Sequence, residues 1–164
     1  MNDSTIVRAH QHSPGAQKSR HDEAIGRSRG GLNAKIHTLV DALGNPTGSY
    51  LTGEQVHDLV GASHLLPSMK AGMPIVDKAF NAGVRVLARS AAAGKTAVIL
   101  PRANCRLPRD FDRDIYEARH RIENFFAKIK QFCAIATRYE KTAKNFLAAV
   151  YLVATVSDWI DVMH

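Results

Sequence analysis

The chain has 164 residues, a single domain by the usual length relation, with 45% hydrophobic and 23% charged side chains, which excludes a disordered tail. Lysine and arginine outnumber aspartate and glutamate 22 to 15, and the net charge of +7 points to a polyanionic partner without specifying a fold. Two cysteines, Cys105 and Cys133, exclude a disulfide framework and a four-cysteine zinc site, and no apolar run suits a signal peptide or a membrane span, so a cytoplasmic protein without a membrane partner is expected.

Residues 3–9 alternate polar and apolar side chains and predict a short strand. Residues 10–29, rich in His, Ser, Gly, Lys and Arg and without periodicity, predict a flexible basic insertion in a domain that otherwise spans residues 1–164. Leu32–Val40 alternates as a strand, Leu43-Gly44-Asn45-Pro46 supplies a turn and Gly48–Thr52 a return strand, which together predict a hairpin. A helix follows over Gln55–Met69, and Pro74–Asp77 is a short strand ending on a carboxylate. Asn81–Ala93 predicts a helix, Thr96–Leu100 a buried strand, and residues 101–110 a loop. Asp112 to about Phe132 and Thr142 to Met163 predict two further helices. This order gives an α/β class in which helices cover a mixed sheet.

The stretch Ile115–Cys133 carries the most information. At about 100° per residue, Tyr116, Arg119, Glu123 and Lys130 share one polar stripe. Ile122, Phe125, Phe126 and Ile129 form an apolar face beside it, while Arg121, Asn124 and Lys128 turn to solvent. Glu123 is then expected to be half-buried at the edge of that face, between two cations, and Cys133 to be a small core residue. Wheel geometry alone favours a solvated amphipathic helix with i,i+4 partners.

The spacing adds to this. Tyr116-x2-Arg119-x3-Glu123-x6-Lys130 resembles the Y-(2)-R-(3)-E-(6)-K signature of bacterial insertion-sequence DDE transposases. Asp3-Ser4-Thr5 with Val7–His10 is similar to the family's segment bearing the first catalytic aspartate, and Val76-Asp77-Lys78 to the segment bearing the second. Gly26–Leu32 with Lys35–His37, and then Phe125-Phe126, Thr137–Tyr139 and Asn145-Phe146, extend the likeness along most of the chain. Ala79, Phe80 and Asn81 stand where relatives usually have Gly, Tyr and often Asp, and only Met1 and Asn2 precede Asp3. The short start suggests the second frame of a two-frame element, joined to an upstream product, or a remnant.

The resemblance implies an RNase H-like mixed sheet flanked by helices, on which Asp3, Asp77 and Glu123 converge to hold Mg²⁺ or Mn²⁺ and act as the catalytic triad. The implied reaction is hydrolysis at insertion-sequence ends followed by strand transfer, both in-line displacements that a pair of divalent ions can promote. Double-stranded DNA, both terminal inverted repeats and target, is the implied partner, with self-association on the DNA and, in the cell, association with the nucleoid. Arg119 and Lys130 would hold phosphates, and Tyr116 would donate a hydrogen bond or stack on an unpaired base. Arg27, Arg29 and Lys35 could track phosphates or form a solvated basic face. Each carboxylate has a plainer reading as well, Asp3 as a capping residue and Asp77 as a polar strand end. His10-x-His12 lacks a third ligand and reads as a solvated loop. A catalytically inactive DNA-binding remnant or regulator of a full-length transposase is the alternative, and a host nuclease of RNase H-like fold would need the same triad but not the Tyr-Arg-Glu-Lys spacing.

Overall fold

The computed structural model describes residues 1–15, 23–65, 67, 75–76, 98–99 and 119–162. In chain order the elements are β1 (Asn2–Ala9), β2 (Gly26–Ser28), β3 (Gly31–Val40), β4 (Pro46–Gly53), α1 (Asp58–Leu65), β5 (Ile75–Val76), β6 (Val98–Ile99), α2 (His120–Ile129), α3 (Cys133–Ala136), β7 (Thr137–Arg138) and α4 (Ala143–Val162). All the strands join one mixed sheet. The path runs β2-β3-β1-β5-β6, with β4 also on β3 and β7 also on β1. β1 is antiparallel to β3 and parallel to β5, and β5 is parallel to β6. The α/β class with helices against a mixed sheet is as expected.

The alternation in β1 and β3 decides what each face carries. Asp3, Thr5 and Val7 pair with Thr38, Ile36 and Ala34, and these side chains share one face. On that face α2 and α4 bury Ile122, Phe125, Phe126, Ile129, Phe146 and Val150 against Val7, Ala34, Ile36 and Leu51. Each fully buried aliphatic or aromatic side chain there contributes roughly 1.5–3 kcal/mol. The predicted apolar face of the α2 segment is the face the fold buries. Ser4, Lys35, His37 and Leu39 point the other way, towards α1.

Three local expectations change. Gly26–Ser28, read as part of a flexible connection, is a strand paired with Gly31–Asn33; residues 16–22 lie outside the described set. The helix expected from Gln55 begins at Asp58, because Val56 N–H instead closes a turn on the Gly53 carbonyl at 3.0 Å. α2 ends at Ile129 rather than Phe132. There the bonding tightens from Lys130 N–H on Phe126 O (3.2 Å) to Gln131 N–H on Lys128 O (3.1 Å), and Phe132 turns extended. Cys133 therefore starts a separate short helix and is exposed, so its expected core position fails with the helix register that suggested it. The predicted elements over 81–93, 101–110 and 112–118 lie outside the described residues.

The short strand β7 was not foreseen, and it has a structural duty. It pairs Arg8 with Thr137 and Ala9 with Arg138, while β5 pairs at Asn2, so β1 is gripped at both ends of one edge. Arg138 is fully buried. It donates to the carbonyls of Ala24 (3.3 Å), Glu140 (3.0 Å) and Lys141 (3.3 Å), and its guanidinium lies 5.2 Å from the centre of the Phe146 ring. Burial lowers its pKa to about 10, which leaves it charged at neutral pH.

Candidate active site

Asp3 sits near the start of β1 on the face that α2 covers. Its Oδ1 accepts the Ser4 amide at 2.8 Å, which fixes the carboxylate plane and leaves Oδ2 directed at Arg119 Nη2, 3.1 Å away. Arg119 occupies the N-cap position of α2. The same Nη2 lies 3.2 Å from Glu123 Oε1, one turn further along. One guanidinium thus joins the first and third expected carboxylates, carried on a strand and a helix. Glu123 also lies in the first turn of α2, where the helix dipole favours a negative charge.

The cluster is graded in exposure: the Asp3 side chain is 13% exposed, Arg119 22% and Glu123 57%. Glu123 is therefore more open than its wheel position suggested. The wheel places it beside the apolar stripe, but a residue in the first turn of a helix is covered only if a neighbouring element reaches over the helix end. Lys130 also departs from expectation. Its ammonium donates to Thr5 Oγ1 at 2.6 Å, two residues along β1 from Asp3 and on the same face, rather than flanking Glu123. Burial pushes the Lys130 ammonium below its ordinary pKa. Thr5 was missed as a site neighbour, although its alternation with Asp3 in the first strand carried the signal.

Asp77 and Tyr116 lie outside the described residues. Val76, the residue before Asp77 in sequence, pairs with Asn2, the residue before Asp3. Among the described residues no three His, Cys, Asp or Glu side chains cluster as a metal site. Asp3 and Glu123 supply a set of carboxylate oxygens already converging on one positive charge, a donor chemistry that suits a hard divalent cation.

Three expected DNA contacts are not brought to this cluster. Lys35 projects from the opposite face, where its ammonium bonds Asp58 Oδ1 (3.0 Å) and the Val56 carbonyl (2.9 Å). Its side chain is only 11% exposed, and in this structure it is an internal ion-pair partner. Burial acts to raise the Asp58 pKa, but hydrogen bonds from Lys35 and Ser4 and the Lys35 charge hold it below the ordinary carboxylate value. Arg27 and Arg29 are exposed, but β2 pairs with the Gly31–Asn33 end of β3, while Asp3 pairs with Thr38. At ~3.3 Å per residue Arg27 lies about 20 Å along the sheet from Asp3, and Arg29 further still. His10 stacks on Tyr139 with ring centres 4.8 Å apart. Among the described residues no helix is long and apolar enough to cross a membrane.

The sequence profile of a family described as "Transposase DDE domain" matches residues 1–157. A Brucella ovis protein, provisionally named as a transposase for insertion sequence element IS6501, is 32% identical over 127 residues, which cover 76% of this chain and 97% of that relative. No solved structure matches. A family match along nearly the whole chain, and a relative covered almost end to end, agree with the meeting of Asp3, Arg119 and Glu123, and the chain belongs to the DDE transposases of insertion sequences.

Proposed function

We propose that this chain cuts DNA strands at the ends of its insertion sequence and joins the freed 3′ ends to target DNA, on an RNase H-like framework. The observation that carries the reading is the single Arg119 guanidinium bonded to both Asp3 and Glu123. The strand order supports it too: three antiparallel strands, β4-β3-β1, continue into the parallel set β1-β5-β6.

In this reading Asp3, Asp77 and Glu123 hold Mg²⁺ or Mn²⁺, and the bound ions supply activation of the attacking oxygen and stabilisation of the leaving one. The protein's own groups do the positioning. β1, pinned at both ends, holds Asp3 rigidly, and its Ser4 amide bond sets the carboxylate's direction. Arg119, half-buried between the two carboxylates, turns its planar fork to a phosphate of the reacting strand. Lys130 offers a second positive charge along β1 beside Thr5. The DNA partners are the terminal inverted repeats and the target duplex, with copies of the chain assembling on them.

The test is Mg²⁺- or Mn²⁺-dependent nicking of a duplex carrying the element's own ends. Asp3→Asn, Asp77→Asn and Glu123→Gln should each reduce it by about 100-fold or more, the scale of losing one transition-state-stabilising group. Cleavage retained in Glu123→Gln would remove that residue from the reaction, and DNA binding without metal-dependent cleavage by the unaltered chain would leave a DNA-binding regulator instead.

A further inference from the structure

The loop between β3 and β4 packs against the side of α2 that faces away from Glu123 and leaves a cleft of about 150 Å³. Arg121 and Lys128 line it together with Asn45 and Asn124, with Phe125 and Leu43 as its apolar residues. Among the described lining residues no carboxylate is present.

The loop is built to hold its shape. Asp41 Oδ1 accepts the amides of Leu43 (2.8 Å), Gly44 (2.9 Å) and Asn45 (2.9 Å). Asp41 Oδ2 also accepts the Asn45 side-chain amide at 3.3 Å. Burial acts to raise the Asp41 pKa, but these four bonds keep it below the ordinary value, so the carboxylate stays ionised and its charge is met by donors within the loop. Gly44 adopts φ +101°, which lets the backbone come alongside Arg121; a Cβ there would sit 3.7 Å from Arg121 Cβ. Leu43, at the lip, is 80% exposed.

The cleft lies at the same end of the sheet as the carboxylates. Val40, the last residue of β3, donates its amide to the Met1 carbonyl at 2.8 Å, so the loop that follows lies near the start of β1. The two places are separated by the thickness of α2, about 10 Å. DNA carries one charge per ~3.4 Å of axis on each strand, so a duplex crossing α2 reaches both places within a few phosphates.

We propose that this cleft is a second anion subsite, which takes a phosphodiester of the duplex flanking the reacting strand through Arg121 and Lys128, with the Asp41-bound loop as its rigid wall. The proposal rests on the DNA-processing reading above. It extends the DNA contact beyond the carboxylate rim to the opposite side of α2, and it assigns function to side chains whose wheel positions suggested only solvent.

The experiment measures equilibrium binding of the full chain to a duplex of about 30 base pairs, without divalent metal, across a salt series. Arg121→Ala and Lys128→Ala should each lower the salt slope by about one unit and weaken binding several-fold. Arg8→Ala, which removes an exposed cation at the far end of β1 on the other face, should leave the slope unchanged. Should either alanine variant fail to fold, Arg121→Gln and Lys128→Gln give the same reading with the side-chain stem retained. Slopes unchanged in both cleft variants, or lowered equally by Arg8→Ala, overturn the subsite while leaving the DNA reading intact. An unaltered chain that binds no DNA overturns both.

Discussion

Asp3 Oδ2 and Arg119 Nη2 lie 3.1 Å apart although 116 positions of sequence separate them. Their side chains are 13% and 22% exposed, so the pair sits between two regimes. Exposed pairs contribute about 0–1 kcal/mol, whereas breaking a buried one costs about 3–5 kcal/mol. A double-mutant cycle with Asp3→Asn and Arg119→Gln in urea unfolding should give a coupling of about 1–2 kcal/mol. Arg119→Lys should recover less than half of it, because an ammonium cannot present the planar fork. A coupling near zero would make the contact incidental to folding.

Glu123 should separate stability from activity. Its carboxylate is 57% exposed and bonded to Arg119 within the same helix end, so Glu123→Gln should shift stability by no more than about 0.5 kcal/mol. The same variant should lose metal-dependent cleavage. A large fall in the unfolding midpoint would show instead that Glu123 holds the α2 terminus in place.

His37 makes stability depend on pH. Burial first, with the Lys35 charge adding and Asp58 opposing, lowers its pKa from 6.5 to about 4. The unfolded chain takes up a proton near pH 6.5 that the folded chain refuses until about pH 4, so stability falls as pH drops through that window. The loss is on the order of 3 kcal/mol. Denaturant midpoints between pH 7.5 and pH 4 should fall less steeply in His37→Gln; Thr52 loses its 2.9 Å imidazole partner in that variant at every pH, which lowers the midpoints without setting their slope. Equal slopes would mean that other groups carry the acid sensitivity.

Gly61 tests packing against propensity. In α1 an alanine gains about 1 kcal/mol of helix preference. Its Cβ, however, would overlap the buried His37 ring. Overpacking costs typically 1–3 kcal/mol, so Gly61→Ala should be net destabilising in thermal unfolding. A net gain would mean that α1 moves off the sheet without penalty. Gly61→Ala combined with His37→Ala should recover most of the loss.

What the sequence made legible followed from periodicity. The buried face of α2 is written in apolar spacing, so Ile122, Phe125, Phe126 and Ile129 are legible as core residues from the sequence, and the alternation of residues 3–9 marks β1 as a strand. Asp3 and Glu123 came from motif order and spacing, and their meeting on Arg119 needs only that β1 and α2 pack on one face. Exposure at Glu123 was harder, because a helical wheel has no ends. The facing of Lys35 needs the fold: in β3 it alternates with Ile36 and so turns to Asp58. Arg138 had no signal at all: a cation in a two-residue strand becomes core only when distant carbonyls close around it.

The order in which the chain is made bears on when it can act. β1, β3 and β4 emerge from the ribosome first, and their apolar face waits for α2 and α4 to cover it. Arg119 arrives 116 positions after Asp3, and β7, which closes the edge of β1, later still. At a synthesis rate of about 5–20 residues per second, that interval lasts several seconds or more. During it Asp3 has neither Arg119 nor Glu123 to meet. On the DNA-cutting reading proposed above, a ribosome that stalls before position 123 releases a fragment without Glu123, and that fragment would be unable to cut.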